Sequence, residues 1–234
     1  MALTDDAIAK IKSMIVSGEL KPGDRLPVEK ILAQRLGLSR NSLREAIRAL
    51  SVLRVLETRQ GAGTYVTSLA PGLVLEAVSF IVNFHDTHTA LQFLDVRRVL
   101  EAEAAAWASL HIGDDAIADL RATNAEMRGI AERETLDNEM LLEVDRRFHS
   151  MIAEQSGNPA LAALVDMLGG QTEPARILRV ATHREVAGRA ADEHEDIVNA
   201  LAQHDPDRAR LRAATHVLSL ENWLESVALG RHKD

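Results

Sequence analysis

The stretch LAQRLGLSRNSLREAIRAL, residues 32–50, contains two helical patterns separated by turn signals. Gly37 can take the left-handed conformation that ends a helix, and Ser39 is a side chain that caps the start of the next one. After Ser39, apolar residues recur at helical spacing and predict a buried face; they are Leu43, Ala46, Ile47 and Leu50. We therefore expect a short helix over residues 28–36, a tight turn and a second, longer helix.

The residues around this stretch complete a small domain. Thr4 is a candidate cap for a first helix, whose apolar positions Ile8, Ile11 and Ile15 share one face and which Gly18 ends. Beyond residue 50, the segments VLET and TYVT flank QGAG and predict a two-stranded hairpin. Three helices followed by a hairpin are the winged helix-turn-helix arrangement.

Arg40, Arg44 and Arg48 follow one another at four-residue spacing on the face opposite the apolar stripe. A solvated helix face is the ordinary interpretation of such a row. Here only Glu45 stands among the arginines as a partner, and the helix directly follows a tight turn. The guanidinium group matches guanine O6 and N7 in the major groove, so the row is a candidate for reading DNA.

Charge is unevenly distributed along the 234 residues. The whole chain has a net charge of −8, yet residues 1–68 carry 11 Lys and Arg against 7 Asp and Glu, a net of +4, which leaves −12 for the remainder. Glycine and proline cluster at the change, in GAG at 61–63 and APG at 70–72. We expect a DNA-binding domain over residues 1–68 and a second domain over residues 72–234, facing different partners.

The N-terminal region resembles the GntR family of bacterial transcription regulators. The resemblance lies in GELKPGDRLPVE, LAQRLGLSR, SLREAIRAL and GAGTYV. It implies that Lys30, Arg40 and Arg44 contact DNA and that Gly61 and Gly63 let the wing approach the duplex, while Arg25 and Arg48 are candidate phosphate contacts. One departure is that Leu53 and Arg54 stand where the family has an acid and a glycine.

Residues from Leu73 onward show helical patterns without strand-like alternation. Asn158 before Pro159, and Asp205 before Pro206, are typical of a helix cap followed by a first-turn proline. The fold class is therefore mostly α, with an antiparallel bundle of six or seven helices after the winged domain.

Within this helical region DRRFH, residues 145–149, places Asp145 and His149 on the helix face that also carries Phe148 and Ile152. A charge on an apolar face needs a partner. His194 and His216 each interrupt an apolar stripe on another helix. Each histidine alone could be a satisfied core residue, but together with Asp145 they are a candidate site for one divalent cation. Imidazole and carboxylate suit Zn²⁺ first, with Ni²⁺, Mn²⁺ or Fe²⁺ as alternatives, and the absence of cysteine excludes thiolate ligands.

This pattern resembles the FadR-like subfamily of GntR regulators with a metal-containing ligand domain, which implies a small effector bound at the metal. Arg97 lies on a stripe with Phe93, Leu100, Ala104 and Trp107 and is expected to enter the core. Pairing with Glu101 is the structural alternative; the resemblance implies that Arg97 lines the effector pocket and binds an organic acid. Asp95 replaces an acid of the subfamily pattern, and His183 is not assigned a role.

These features together predict a cytoplasmic, ligand-responsive repressor rather than an enzyme. It is expected to bind a palindromic operator as a homodimer and to release or strengthen that binding when a carboxylate effector binds. A metal-dependent hydrolase or lyase fused to a DNA-binding head is one alternative, although no clear catalytic base or nucleophile motif is present. A sensor of the metal itself is another. No run of eighteen apolar residues and no signal peptide are found, so no membrane partner is expected.

Overall fold

The computed structural model describes residues 3–73, 87–182 and 185–229. The chain divides into two compact units, residues 1–80 and 81–234. The predicted domain ranges, 1–68 and 72–234, remain a prediction, because much of the stretch between the units lies outside the described residues. None of the helices in the described residues combines the length and the hydrophobicity that crossing a membrane requires.

The first unit is a winged helix-turn-helix, as predicted. It consists of α1 (Leu3–Val16), α2 (Glu29–Leu36), α3 (Arg40–Val52), β1 (Leu56–Arg59) and β2 (Gly63–Val66). The strands pair antiparallel with Leu56 opposite Val66 and Arg59 opposite Gly63. Ile11, Leu32, Leu43, Leu56 and Val66 meet in one buried core that joins all five elements.

Local sequence signals set the boundaries of α2 and α3. Gly37 ends α2 with φ 66°, and the side chain of Ser39 accepts a hydrogen bond from the backbone N–H of Ser42 at 3.0 Å. Both features were predicted. The predicted cap at Thr4 is wrong, because α1 begins at Leu3 and Thr4 lies inside it.

The second unit is helical throughout its described residues. It contains seven helices there, within the predicted number: α4 (Thr87–Ser109), α5 (Asp114–Ala131), α6 (Asn138–Gln155), α7 (Pro159–Gln171), α8 (Glu173–Thr182), α9 (Glu185–Ala202) and α10 (Pro206–Ala228). Asn158 and Asp205 cap α7 and α10 through their side-chain oxygens, and each is followed by proline.

The two longest of the described helices, α4 and α10, pack along each other. α6 and α7 pack against α4, α9 packs against α10 and also contacts α4, and α5 packs against α6 and α9. Leu120, Phe148, Ile197 and Leu201 are buried where α5, α6 and α9 meet. Because α6, α9 and α10 each turn one face toward this interior, their polar residues on that face come together.

Candidate functional site

The exposed face of α3 carries the predicted DNA-contacting arginines. Arg40, Arg44 and Arg48 are all exposed, and so is Lys30 on α2. Arg44 donates a hydrogen bond to Glu29 of α2 at 3.0 Å, and Arg48 donates one to Glu45 at 2.8 Å. The expectation that Glu45 alone partners the row is therefore wrong for Arg44. Both pairs are at the surface, where such ion pairs contribute little stability and can be exchanged for phosphate.

The wing turn depends on its two glycines. Gly61 and Gly63 have φ values of 74° and 111°, which favour glycine. A Cβ atom at Gly63 would lie 2.7 Å from Nε of Arg25. Arg25 also forms an isolated bridge with Tyr65. The side chain of Arg25 thus lies against the wing, and the missing Cβ of Gly63 makes room for it.

In the second unit, the four predicted metal ligands meet. One ligand atom from each of Asp145, His149, His194 and His216 lies within 4.8 Å of the others. Asp145 and His149 come from α6, His194 from α9 and His216 from α10. The first three are buried and His216 is half-buried. Four residues that are up to 71 positions apart in sequence therefore form one cluster.

Distances within the cluster show which atoms face one another. Oδ1 of Asp145 lies 3.5 Å from Nε2 of His194 and 3.8 Å from Nε2 of His149. Among the described residues, neither Nε2 of His149 nor either nitrogen of His194 has a hydrogen-bond partner. Buried polar atoms are rarely left so. The imidazole of His194 is held by stacking on Phe148, with ring centroids 4.0 Å apart.

Two carboxylates lie behind the histidines. Nδ1 of His149 lies 2.8 Å from Oε2 of Glu101, and Nδ1 of His216 lies 2.7 Å from Oε2 of Glu193. A carboxylate at Nδ1 fixes the ring and leaves Nε2 as the ligand atom, which is the usual support of a metal-binding histidine. Neither Glu101 nor Glu193 was predicted to have this role.

Charge keeps the cluster in the protonation state that a cation requires. Burial alone would raise the pKa of Asp145, but Arg176 and then His149 offset it and hold the pKa well below its usual range. Arg176 pairs with the other carboxylate oxygen, Oδ2, so Oδ1 remains directed at the imidazoles. Burial lowers the pKa of His149 and, further, that of His194. Neutral imidazoles and an ionised carboxylate are a donor set suited to a divalent metal.

A pocket of ≈ 50 Å³ adjoins the cluster. Asp145 and His216 line it, together with Arg97, Arg176 and Arg179 and an apolar wall. Arg176 was not predicted, although Thr172, Arg176 and Arg179 share helical spacing that could have indicated a polar face.

Arg97 enters the core as expected, and 2% of it is exposed. Its Nε pairs with Glu101 and its Nη1 donates to Oγ1 of Thr172 at 2.9 Å. Arg97 therefore both pairs with Glu101 and lines the pocket. Trp107 does not share the buried stripe, because 39% of it is exposed. His183 lies outside the described residues.

Each of the two units matches a known protein family. Residues 3–66 match the family "Bacterial regulatory proteins, gntR family" and residues 92–219 match the FCD domain. The Exu regulon transcriptional regulator of Escherichia coli K12 is 30% identical over 213 residues, 89% of this chain and 79% of that protein. The transcriptional regulator LutR of Bacillus subtilis is 29% identical over 215 residues, 90% of this chain and 96% of that protein. The solved structure of Streptococcus agalactiae GntR superposes with a TM-score of 0.71 at 24% identity, over 94% of this chain and 99% of that one, and shares the fold.

A winged helix-turn-helix joined to a helical ligand-binding domain defines a DNA-binding transcriptional regulator rather than an enzyme. The chain belongs to the GntR family, and its second unit is an FCD domain.

Proposed function

We propose that the FCD domain holds one divalent cation through Asp145, His149, His194 and His216, and that a small organic acid binds beside it as effector. The observation that supports this proposal is the buried cluster itself, whose ligand atoms lie within 4.8 Å of one another. The second argument is that, in the part of the chain that the structure describes, Nε2 of His149 and both nitrogens of His194 are buried without a hydrogen-bond partner, which costs free energy.

Zn²⁺ is the preferred ion, because three imidazoles and a carboxylate are a donor set that it commonly takes. A cation held by four protein ligands offers remaining coordination positions to a carboxylate. Arg97 and Arg176 line the same pocket and would complement the charge of that acid.

The winged domain, in this proposal, reads a palindromic operator as part of a homodimer, with Arg40 and Arg44 at the bases. Lys30, Arg25 and Arg48 contact the backbone, and Gly61 and Gly63 shape the wing. A dimer doubles the number of base pairs read and matches a two-fold operator. Repression is the expected sign, and a reporter under the cognate operator, with and without the regulator, tests it.

Metal content tests the proposal directly. Elemental analysis of protein purified without added metal or chelator is expected to give about one divalent ion per chain, and His194→Ala and His216→Ala are expected to lose it. His204→Ala is the matched control, because His204 lies in the turn after α9 and contacts the carbonyl oxygen of Ser109 instead. Wild-type protein that cannot be loaded with any divalent ion, or full retention in both variants, contradicts the proposed site.

Operator affinity separates an acid effector from a metal effector. Binding of the metal-loaded protein to operator is expected to change only when an acid is added. A response to metal alone, with no further effect of any acid, would assign the domain to metal sensing.

A further inference from the structure

The pocket beside the candidate metal cluster has a charged end built on the junction of α7 and α8. Nη1 of Arg97 donates to Thr172 and Nη2 of Arg176 donates to the carbonyl oxygen of Gly169 at 2.8 Å, so both guanidinium groups are fixed there. Nε of Arg176 is buried and has no hydrogen-bond partner in the described ranges. Arg179 lines the same space. This end is suited to one carboxylate.

Another wall of the pocket is apolar. Met127 of α5, Leu141 of α6 and Ala187 of α9 belong to one buried cluster, and Ala190 packs against it. All four line the pocket, and Leu142 and Val186 extend the wall. Of the described residues that line the pocket, none offers a hydroxyl or amide side chain. A ligand hydroxyl placed here would leave water without gaining a hydrogen bond.

The size of the pocket limits the ligand further. The cavity volume is ≈ 50 Å³, so the pocket has room for a small ligand only. A carboxylate with a short tail matches this volume. A polyhydroxy acid would bury several hydroxyl groups against the apolar wall without hydrogen-bond partners there.

We infer that the effector is a short monocarboxylate with an apolar tail that lacks hydroxyl groups. The inference rests on the proposed function, since it assigns the carboxylate to the end of the pocket that holds Asp145, His216 and the guanidinium groups. The tail then lies against Met127, Leu141 and Ala187. Selectivity comes from the wall, which excludes hydroxylated acids that the charged end alone would accept.

Two isosteric acids test this wall. Butyrate and 3-hydroxypropionate have the same number of non-hydrogen atoms and differ by a methyl group against a hydroxyl group. Calorimetric titration of the full chain with its bound metal is expected to show butyrate binding about 10–100-fold more tightly, the range over which an apolar pocket rejects an added hydroxyl. Equal affinity, or preference for 3-hydroxypropionate, overturns the inference.

A single hydroxyl on the wall is expected to shift this preference. Ala187→Ser is expected to reduce the affinity ratio of butyrate to 3-hydroxypropionate by about 2–10-fold, the contribution of one neutral hydrogen bond. Ala200→Ser is the matched control, since Ala200 is buried on the same helix in a different cluster and is expected to leave the ratio unchanged. An unchanged ratio in Ala187→Ser, in a variant that still binds butyrate, contradicts the placement of the tail.

Metal content and the pattern of acid binding together show whether the apolar tail alone or the acid effector as well is contradicted. Stoichiometric metal with equal binding of both acids contradicts only the apolar tail. Stoichiometric metal with binding of neither acid contradicts the acid effector and the tail together. Loss of butyrate binding in Arg97→Lys, with metal retained, is the result expected if the carboxylate lies at the charged end, because lysine keeps the charge without the guanidinium geometry.

Discussion

Arg54 has a backbone φ of 56°, in the left-handed region that glycine prefers. It follows Leu53, the residue that caps the end of α3, and its N–H bonds the carbonyl oxygen of Ser51. The turn that the family forms with glycine is therefore kept here by an arginine. The departure from the family pattern therefore affects the free energy of this turn and not its shape, because a side chain in the left-handed region is strained.

Arg54→Gly is expected to stabilise the protein by about 0.5–1 kcal/mol, since relief of the left-handed strain exceeds the entropy that glycine adds to the unfolded chain. Chemical denaturation measures it. Arg48→Gly, inside α3, is the control and is expected to destabilise by about 1 kcal/mol. A loss of stability in both variants would contradict the assignment of strain to Arg54.

Arg40→Ala and Arg44→Ala are each expected to weaken binding to the cognate operator by about 1–3 kcal/mol, the value of one bidentate contact to a base. Unfolding and metal content are expected to stay unchanged, because both side chains are exposed. Arg147→Ala, which removes an exposed arginine paired with Glu126 in the second unit, is the control. Wild-type operator affinity in both α3 variants would remove these residues from the recognition surface.

Arg97 has a structural role in addition to the ligand role proposed for it. Burial alone would raise the pKa of Glu101, but Arg97 and then His149 lower it, so the carboxyl stays ionised inside the protein. Arg97→Ala leaves this charge without its main partner and is expected to cost about 3–5 kcal/mol of stability. Thermal unfolding of Arg97→Ala and of Arg97→Ala combined with Glu101→Gln measures it, and the double variant is expected to recover part of the loss. No recovery would contradict the buried ion pair as the cause.

At the scale of helices and strands, the helix ends that depend on local interactions were predicted from the sequence. Gly37, Ser39, Asn158 and Asp205 act within a few residues of themselves, and the structure places each at the helix end that was predicted. Apolar spacing also predicted which faces of α6, α9 and α10 are buried. Because the candidate ligands lie on these faces, they could be grouped from the sequence.

Partners that are distant in sequence were not predictable in this way. Asp145 meets Arg176 across 31 positions, and Arg97 meets Thr172 across 75. Such pairs depend on how whole helices pack, and helical periodicity contains no information on which neighbour a buried charge will face. Glu193 precedes His194 directly, yet it supports His216 of another helix for the same reason.

The candidate metal site lies between three helices, so metal removal is a prediction about elements. A chelator is expected to lower the melting temperature of the second unit, since an ion that binds only the folded state stabilises it by about 2.7 kcal/mol at a free concentration of 100 times its Kd. Scanning calorimetry with and without chelator measures the shift. His149→Ala is expected to melt at the same temperature in both conditions. If the chelator leaves the melting temperature of the wild type unchanged, a role of the ion in joining α6, α9 and α10 is contradicted.

At the scale of the whole molecule, the second unit exposes an apolar stripe along α4. Val96, Val99 and Trp107 are exposed at spacings that place them along one side of α4, and Leu110, directly after the helix, is exposed as well. About half of Val96, Val99 and Leu110 remains accessible. Exposed large apolar residues aligned in this way often mark an interface with another protein. On α10, which packs along α4, Leu211 and Leu218 are also exposed, and Arg210 joins the two helices through Glu103 at 2.6 Å. This stripe supports the proposal that two copies of the chain meet through the second unit.

Val99→Arg is expected to convert the proposed homodimer to monomer, because a charge in the middle of an apolar interface is left without water or a partner. Analytical ultracentrifugation measures the change, and binding to a palindromic operator is expected to fall together with dimerisation, since a single winged domain reads one half-site. Ile177→Arg is the matched control, as Ile177 of α8 is 40% exposed but lies outside the stripe.

A half-site operator gives the decisive comparison. Val99→Arg is expected to bind a half-site with the affinity of one wild-type winged domain, because α3 and the wing are unchanged. A Val99→Arg protein that remains dimeric would place the interface elsewhere, and one that is monomeric yet keeps full affinity for the palindrome would separate operator recognition from dimerisation.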